Sequence, residues 1–226
     1  MADNVYTMKK QKENPQEHIE KSLKKNKSWI LGVIAAVVVV VAVVSIVIVS
    51  SEKTTEKRLS AVADIEYNYV NKSDKLSEEE IEARKADTLE ALSKYVKKGG
   101  VVGVRANLLA ADIYFSSNDY ENAKACYEKA GKAKKNAYTS GVAYFNAGTC
   151  CDLLNQFENA AVDYEKSAEY KDNLNVTHAL FSEGKSYELA GMNDKALEAY
   201  NKLCDSYPND EWAKLAQSRI IALSNQ

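Results

Sequence analysis

Three times in this chain an alanine is followed four residues later by a tyrosine, and the pairs recur at a nearly fixed interval. They are Ala123/Tyr127, Ala160/Tyr164 and Ala196/Tyr200, spaced 37 and 36 residues apart. Residues at i and i+4 share one helix face. The alanine there lets a neighbouring helix approach closely, and the tyrosine fills the space beside it. The flanking segments agree: NDYENAKACYEKA (118–130), NQFENAAVDYEKSA (155–168) and GMNDKALEAYNKL (191–203) each open on a turn residue followed by an acidic one. A unit this short cannot bury its apolar face alone, so such units must stack.

A second apolar-periodic segment precedes each of these helices: ANLLAADIYF (106–115), AYFNAGTCCDLL (143–154) and ALFSEGKSYELA (179–190). Two helices per unit, joined by a short turn and repeated, make a helical-hairpin solenoid. Only two prolines occur, Pro15 and Pro208, so long helices meet few breaks. The pattern resembles the tetratricopeptide repeat. The third unit matches best, with Leu180, Gly184, Tyr187, Ala196, Tyr200 and Pro208 in order; it departs at Glu183, where an apolar residue is expected. Residues 210–224 predict a terminal helix, with Trp212, Leu215, Ala216 and Ile220 on one face covering the last hairpin. A divergent hairpin leads the array. Its first helix, over 54–70, carries Leu59, Val62, Ile65 and Tyr69. Its second, over 77–98, carries Ile81, Leu89, Leu92 and Val96; Ser77 with Glu80 caps its start and Gly99-Gly100 ends it.

Residues 29–50, WILGVIAAVVVVVAVVSIVIVS, carry no charge. At 1.5 Å rise per residue that length crosses about 30 Å of hydrocarbon. A cleavable signal has a shorter apolar stretch, about 7–15 residues. The cleavage-like triplet Ala61-Val62-Ala63 lies beyond the charges Glu52, Lys53, Glu56, Lys57 and Arg58. An uncleaved span is therefore expected. Seven lysines precede it, from Lys9 to Lys27, against Lys53, Lys57 and Arg58 after it. That bias favours a cytoplasmic N-terminus and an extracytoplasmic C-terminal domain. The expected organisation is a basic tail (1–28), a span (29–50), leading helices (51–100) and a repeat domain with terminal helix (101–226). The fold class is all-α: one transmembrane helix, then an α-solenoid of about four hairpins plus a cap.

This layout resembles YfgM-type proteins, most closely over GGVVGVRANLLAADIYFSSNDYENA (99–123). The resemblance implies a single-pass inner-membrane protein with its repeat domain in the periplasm, associated with the translocon and with chaperones or envelope clients. A structural scaffold or oligomerisation subunit without a client groove is the other reading.

The first helix of each unit lines the concave side of such a solenoid. The candidate groove is then Arg105, Leu108, Asp112 and Phe115 from unit one, Val142, Phe145, Thr149 and Asp152 from unit two, and His178, Phe181, Lys185 and Glu188 from unit three. Leu108, Phe145 and Phe181 hold equivalent places and make an apolar stripe, open to a partner or covered by the leading or terminal helix. Phe, Thr and Lys at these places do not make the Lys/Asn carboxylate clamp of chaperone-binding repeats. No catalytic constellation is present. His18 and His178 have no Cys or His at ligand spacing, so no metal or other cofactor is expected. Nor is a small-molecule substrate. A net charge of −2, from 30 basic and 32 acidic residues, gives no footing for nucleic acid. Cys126, Cys150, Cys151 and Cys204 are either buried thiols or, for Cys126 and Cys151, a bridge between successive helices.

Overall fold

A computed structural model describes residues 15–71, 76–134, 138–170 and 173–225. These form helices α1 (Pro15–Lys25), α2 (Lys27–Val70), α3 (Glu78–Leu92), α4 (Gly100–Ser116), α5 (Tyr120–Ala133), α6 (Ser140–Leu153), α7 (Phe157–Ala168), α8 (Val176–Leu189), α9 (Asn193–Ser206) and α10 (Glu211–Ser224). No strand occurs among the described residues. The chain divides into two compact units, Met1–Thr54 and Thr55–Gln226.

In the first unit, the apolar stretch of α2 has a mean hydropathy of 3.3 and none of it is buried. By length and composition this helix can cross a membrane. The span and the first leading helix were expected as separate elements; α2 instead runs without a break through both. No Gly or Pro lies between Ser50 and Val70. The polar stretch keeps helical geometry, with the Ser51 hydroxyl donating to the Ile48 carbonyl and Thr54 to that of Ser50.

In the second unit, each helix from α4 to α9 packs on the next, and α10 closes the array against α9 and α8. The expected hairpins are α4/α5, α6/α7 and α8/α9, with α10 as the cap. Their turns share one device. Asn118, Asn155 and Gly191 hold equivalent places and take φ of 59°, 57° and 74°. This left-handed residue reverses the chain. The amide after it then bonds back five residues: Asp119 to Tyr114, Gln156 to Cys151, Met192 to Tyr187. Asn and Gly tolerate that conformation best.

The packing between helices relies on small residues where a tyrosine passes. A Cβ on Gly148 would stand 2.9 Å from the Tyr164 ring, and one on Gly184 2.5 Å from that of Tyr200. Ala123, Ala160 and Ala196 are fully buried. The leading hairpin buries Val62 and Leu92 in one cluster with Leu59, Ile65, Tyr69 and Leu89. Ser77 and Glu80 form the expected capping box, while α3 stops at Leu92, short of the glycines, and Ser93–Lys97 turns. Arg84 donates to the carbonyl of Asn71 at 2.6 Å, capping the end of α2 with a cation. On α10, Trp212 and Ile220 join the core, but Leu215 is half exposed. Ala213 and Leu223 take the buried places beside Ala216.

Candidate functional site

The twelve residues read as a groove fall on α4, α6 and α8 at four successive helical positions. Leu108 and Phe115 are partly buried in the apolar cluster that includes the leading hairpin. Phe145 meets Tyr164 edge-on at 5.1 Å and His178 at 4.8 Å. His178 stacks on Trp212 of α10, with centroids 4.0 Å apart and planes 7° apart. Phe181 contacts the same Trp212 at 5.1 Å and Tyr200 at 5.6 Å. The third unit's aromatic positions thus lie under the edge of the terminal helix and are neither fully buried nor fully open. Burial, with Lys185 nearby, holds the His178 imidazole below its usual pKa.

The polar positions are tied within the chain. Arg105 pairs with Glu66 of α2 at 2.8 Å. Tyr127 donates to Asp112 at 2.6 Å. Tyr164 donates to Asp152 at 2.9 Å and lies 3.3 Å from the Thr149 hydroxyl. Asp152 also accepts from Ser186 of the next unit at 2.9 Å. Tyr200 donates to Glu188 at 3.2 Å, and Arg219 of α10 forms a two-point ion pair with the same carboxylate. Desolvation raises the pKa values of Asp112 and Asp152 above the ordinary carboxylate value, against the pull of these donors. Val142 and Lys185 stay exposed.

Beside Phe181 these groups enclose a pocket of about 330 Å³, lined by Phe181, Lys185, Glu188, Leu189, Tyr200 and Arg219. It has an apolar floor, an exposed lysine and a neutralised ion pair at its wall.

Sequence spacing puts the candidate residues on α4, α6 and α8 but does not reveal their partners. The repeat tyrosines pack as expected, yet their hydroxyls also reach across to the groove carboxylates. The i-to-i+16 spacing from Gly148 to Tyr164 and from Gly184 to Tyr200 was the signal for that reach. Glu66, Ser186 and Arg219 gave no signal, because they come from other units. The four cysteines are unbonded; Cys126, Cys150 and Cys151 are buried and Cys204 partly so. Burial pushes the thiols of Cys150 and Cys151 up to about 12 and about 11. Among the described residues no group of His, Cys, Asp and Glu could hold a metal ion.

Residues 104–136 and 142–174 match one tetratricopeptide-repeat model, and residues 178–210 match another. A TPR repeat-containing protein of Treponema pallidum (strain Nichols) is 31% identical over 136 residues, which are 60% of this chain and 57% of that protein. The chain thus spans little more than half of that relative's length. A crystal structure of MamA aligns over 63% of this chain and 83% of its own, with 20% identity and a TM-score of 0.44. Residues 104–210 thus carry tetratricopeptide-type repeats, which indicate a protein–protein interaction module.

Proposed function

We propose that this chain is a protein-binding module held at the inner membrane by one span, with its repeat domain on the periplasmic side. Its groove takes a segment of another protein. In this reading it supports protein translocation or envelope assembly by holding chaperones or clients near the translocon, as the resemblance to YfgM-type proteins implies. The observation that carries the reading is the pocket beside Phe181. It combines an apolar floor, the exposed Leu189 and Lys185, and a polar wall already satisfied by Arg219 and Tyr200. An apolar side chain can enter it without stranding a buried charge. Scaffolding without a client groove has one observation in its favour: Arg105 and Glu188 are already paired inside the chain.

Site-specific photo-crosslinkers separate the two readings. Placed at Val142 and Leu189 in the groove, they capture the partner if the groove binds. Placed at Lys202, on an exposed part of α9, they capture it if the outer surface is the scaffold. Capture from Lys202 alone rejects the groove. Protease added outside an intact inner membrane tests location: degradation beyond Ser51 with a protected tail is expected, and full protection reverses the orientation.

A further inference from the structure

Successive helices alternate in direction, so the C-terminal ends of α3, α5 and α7 gather along one edge of the second unit, with its first residue Thr55. The edge is stitched across helices. The Ser140 hydroxyl donates to the Gly131 carbonyl at 3.1 Å, Ser167 to that of Gly141 at 2.7 Å, and the Asn173 amide to that of Ser167 at 3.0 Å. A Cβ on Gly103 would press on the Lys98 carbonyl and lie 3.4 Å from the Ala133 methyl, which brings the α3–α4 turn to the same place.

This edge carries apolar side chains that the fold does not use. Tyr138 is 80% exposed and Leu174 98%. They are equivalent: each precedes the first groove residue of its unit, Val142 or His178, by four positions. Lone exposed apolar residues need no explanation, but repetition at one register position does. Exposed Lys94, Lys97, Lys98 and Lys134 lie on the same edge, towards its Thr55 end. From the last turn of α9 to the start of α10 the edge turns acidic, with Asp205, Asp210 and Glu211. Ser50 ends the charge-free run only five residues before Thr55, at most about 17 Å of extended chain.

We propose that this edge rests on the bilayer surface, with Tyr138 and Leu174 in the interfacial layer and the lysines facing anionic headgroups. The inference depends on the membrane anchor proposed above. Tyrosine suits the interface because its ring is apolar and its hydroxyl stays wet. Lysines close to an anionic leaflet add attraction that falls off within a Debye length. The acidic α9–α10 end is repelled, which holds that turn off the lipid while Tyr138 and Leu174 approach it.

The test uses the full chain in vesicles of phosphatidylcholine, with and without phosphatidylglycerol. A fluorophore is attached at Tyr138→Cys, Leu174→Cys or, on the opposite edge, Glu158→Cys, with the unsubstituted chain as the labelling blank. Headgroup-nitroxide lipids serve as quenchers. Severalfold stronger quenching at 138 and 174 than at 158 is expected, rising with phosphatidylglycerol and falling with salt. Equal quenching at all three positions in a carbonate-resistant protein overturns the edge proposal and leaves the anchor standing. Release by carbonate overturns both. Quenching that ignores phosphatidylglycerol and salt overturns the charge pairing. Probes shielded from aqueous iodide but unquenched by lipid mark a protein on this edge, and also overturn the proposal.

Discussion

At the scale of single residues, Glu183 is the most exposed to test because it breaks the repeat's own pattern. It holds an apolar place, is 6% exposed, and one carboxylate oxygen has no hydrogen-bond partner. Burial raises its pKa from 4.5 to about 7; Lys202 counters this, while Glu165 and Glu198 add to it. Between those values the folded state binds more protons than the unfolded one, so stability falls as pH rises. The proton's contribution is complete below 4.5 and lost above about 7. The charged form then costs about 3 kcal/mol. Glu183→Leu should raise the melting temperature at pH 8 and do much less at pH 5. An equal shift at both values would show that the carboxylate is solvated. Phe181 and Ala160 offer a second contrast. Phe181 is half-buried, so Phe181→Ala should cost clearly less than the roughly 3–5 kcal/mol of a fully buried phenylalanine. Ala160 is 0% exposed, and Ala160→Leu should overpack the α6–α7 contact by about 1–3 kcal/mol. Chemical denaturation ranks the two, and the reverse order would break the assigned register.

At the scale of elements, the turns decide where hairpins end. Gly191 sits at φ 74°, with nothing within 4 Å of where a Cβ would stand. A side chain there meets no neighbour and suffers only backbone strain. Gly191→Val should cost about 1–2 kcal/mol, while Asn155→Gly should cost little, as read by urea unfolding. A cost for Asn155→Gly as large as that for Gly191→Val would mean that the asparagine side chain, not its backbone, holds the turn. These turns were legible in advance, because Asn, Asn and Gly recur at one register position. So was the Ser77–Glu80 cap, which is local chemistry. The continuity of α2 was not. Hydropathy changes at Ser50, which marks a change of solvent and not a change of element. A helix needs only unbroken backbone bonding, which the serine and threonine hydroxyls do not disturb.

At the scale of the whole repeat domain, α10 is both lid and wall. It covers Leu203 and Tyr200, stacks Trp212 on His178, and completes the pocket with Arg219. Stopping the chain before Glu211 should lower the melting temperature and raise binding of an apolar dye, because solenoid ends need a cap. An unchanged melt would show that α9 closes the array unaided. The hairpins were legible from the 36–37-residue period, since the positions of the twelve candidate residues on α4, α6 and α8 follow from register alone. Their electrostatics were not. Asp152 and Glu188 are also held by Ser186 and Arg219, more than thirty residues away, and no local pattern announces those partners.

The tie from Asp152 to Ser186 joins one unit to its successor, and its counterpart one unit earlier is apolar. Phe115 stands where Asp152 does, and Cys150 stands where Ser186 does, both in one apolar cluster. The first junction thus has apolar residues at these places, and the second an acceptor and a donor. The units share an outline but not a connector. A duplicated or reordered copy would seat a carboxylate against a thiol or a phenylalanine against a hydroxyl, so this array can lengthen by gene duplication only when both sides of a new joint change together.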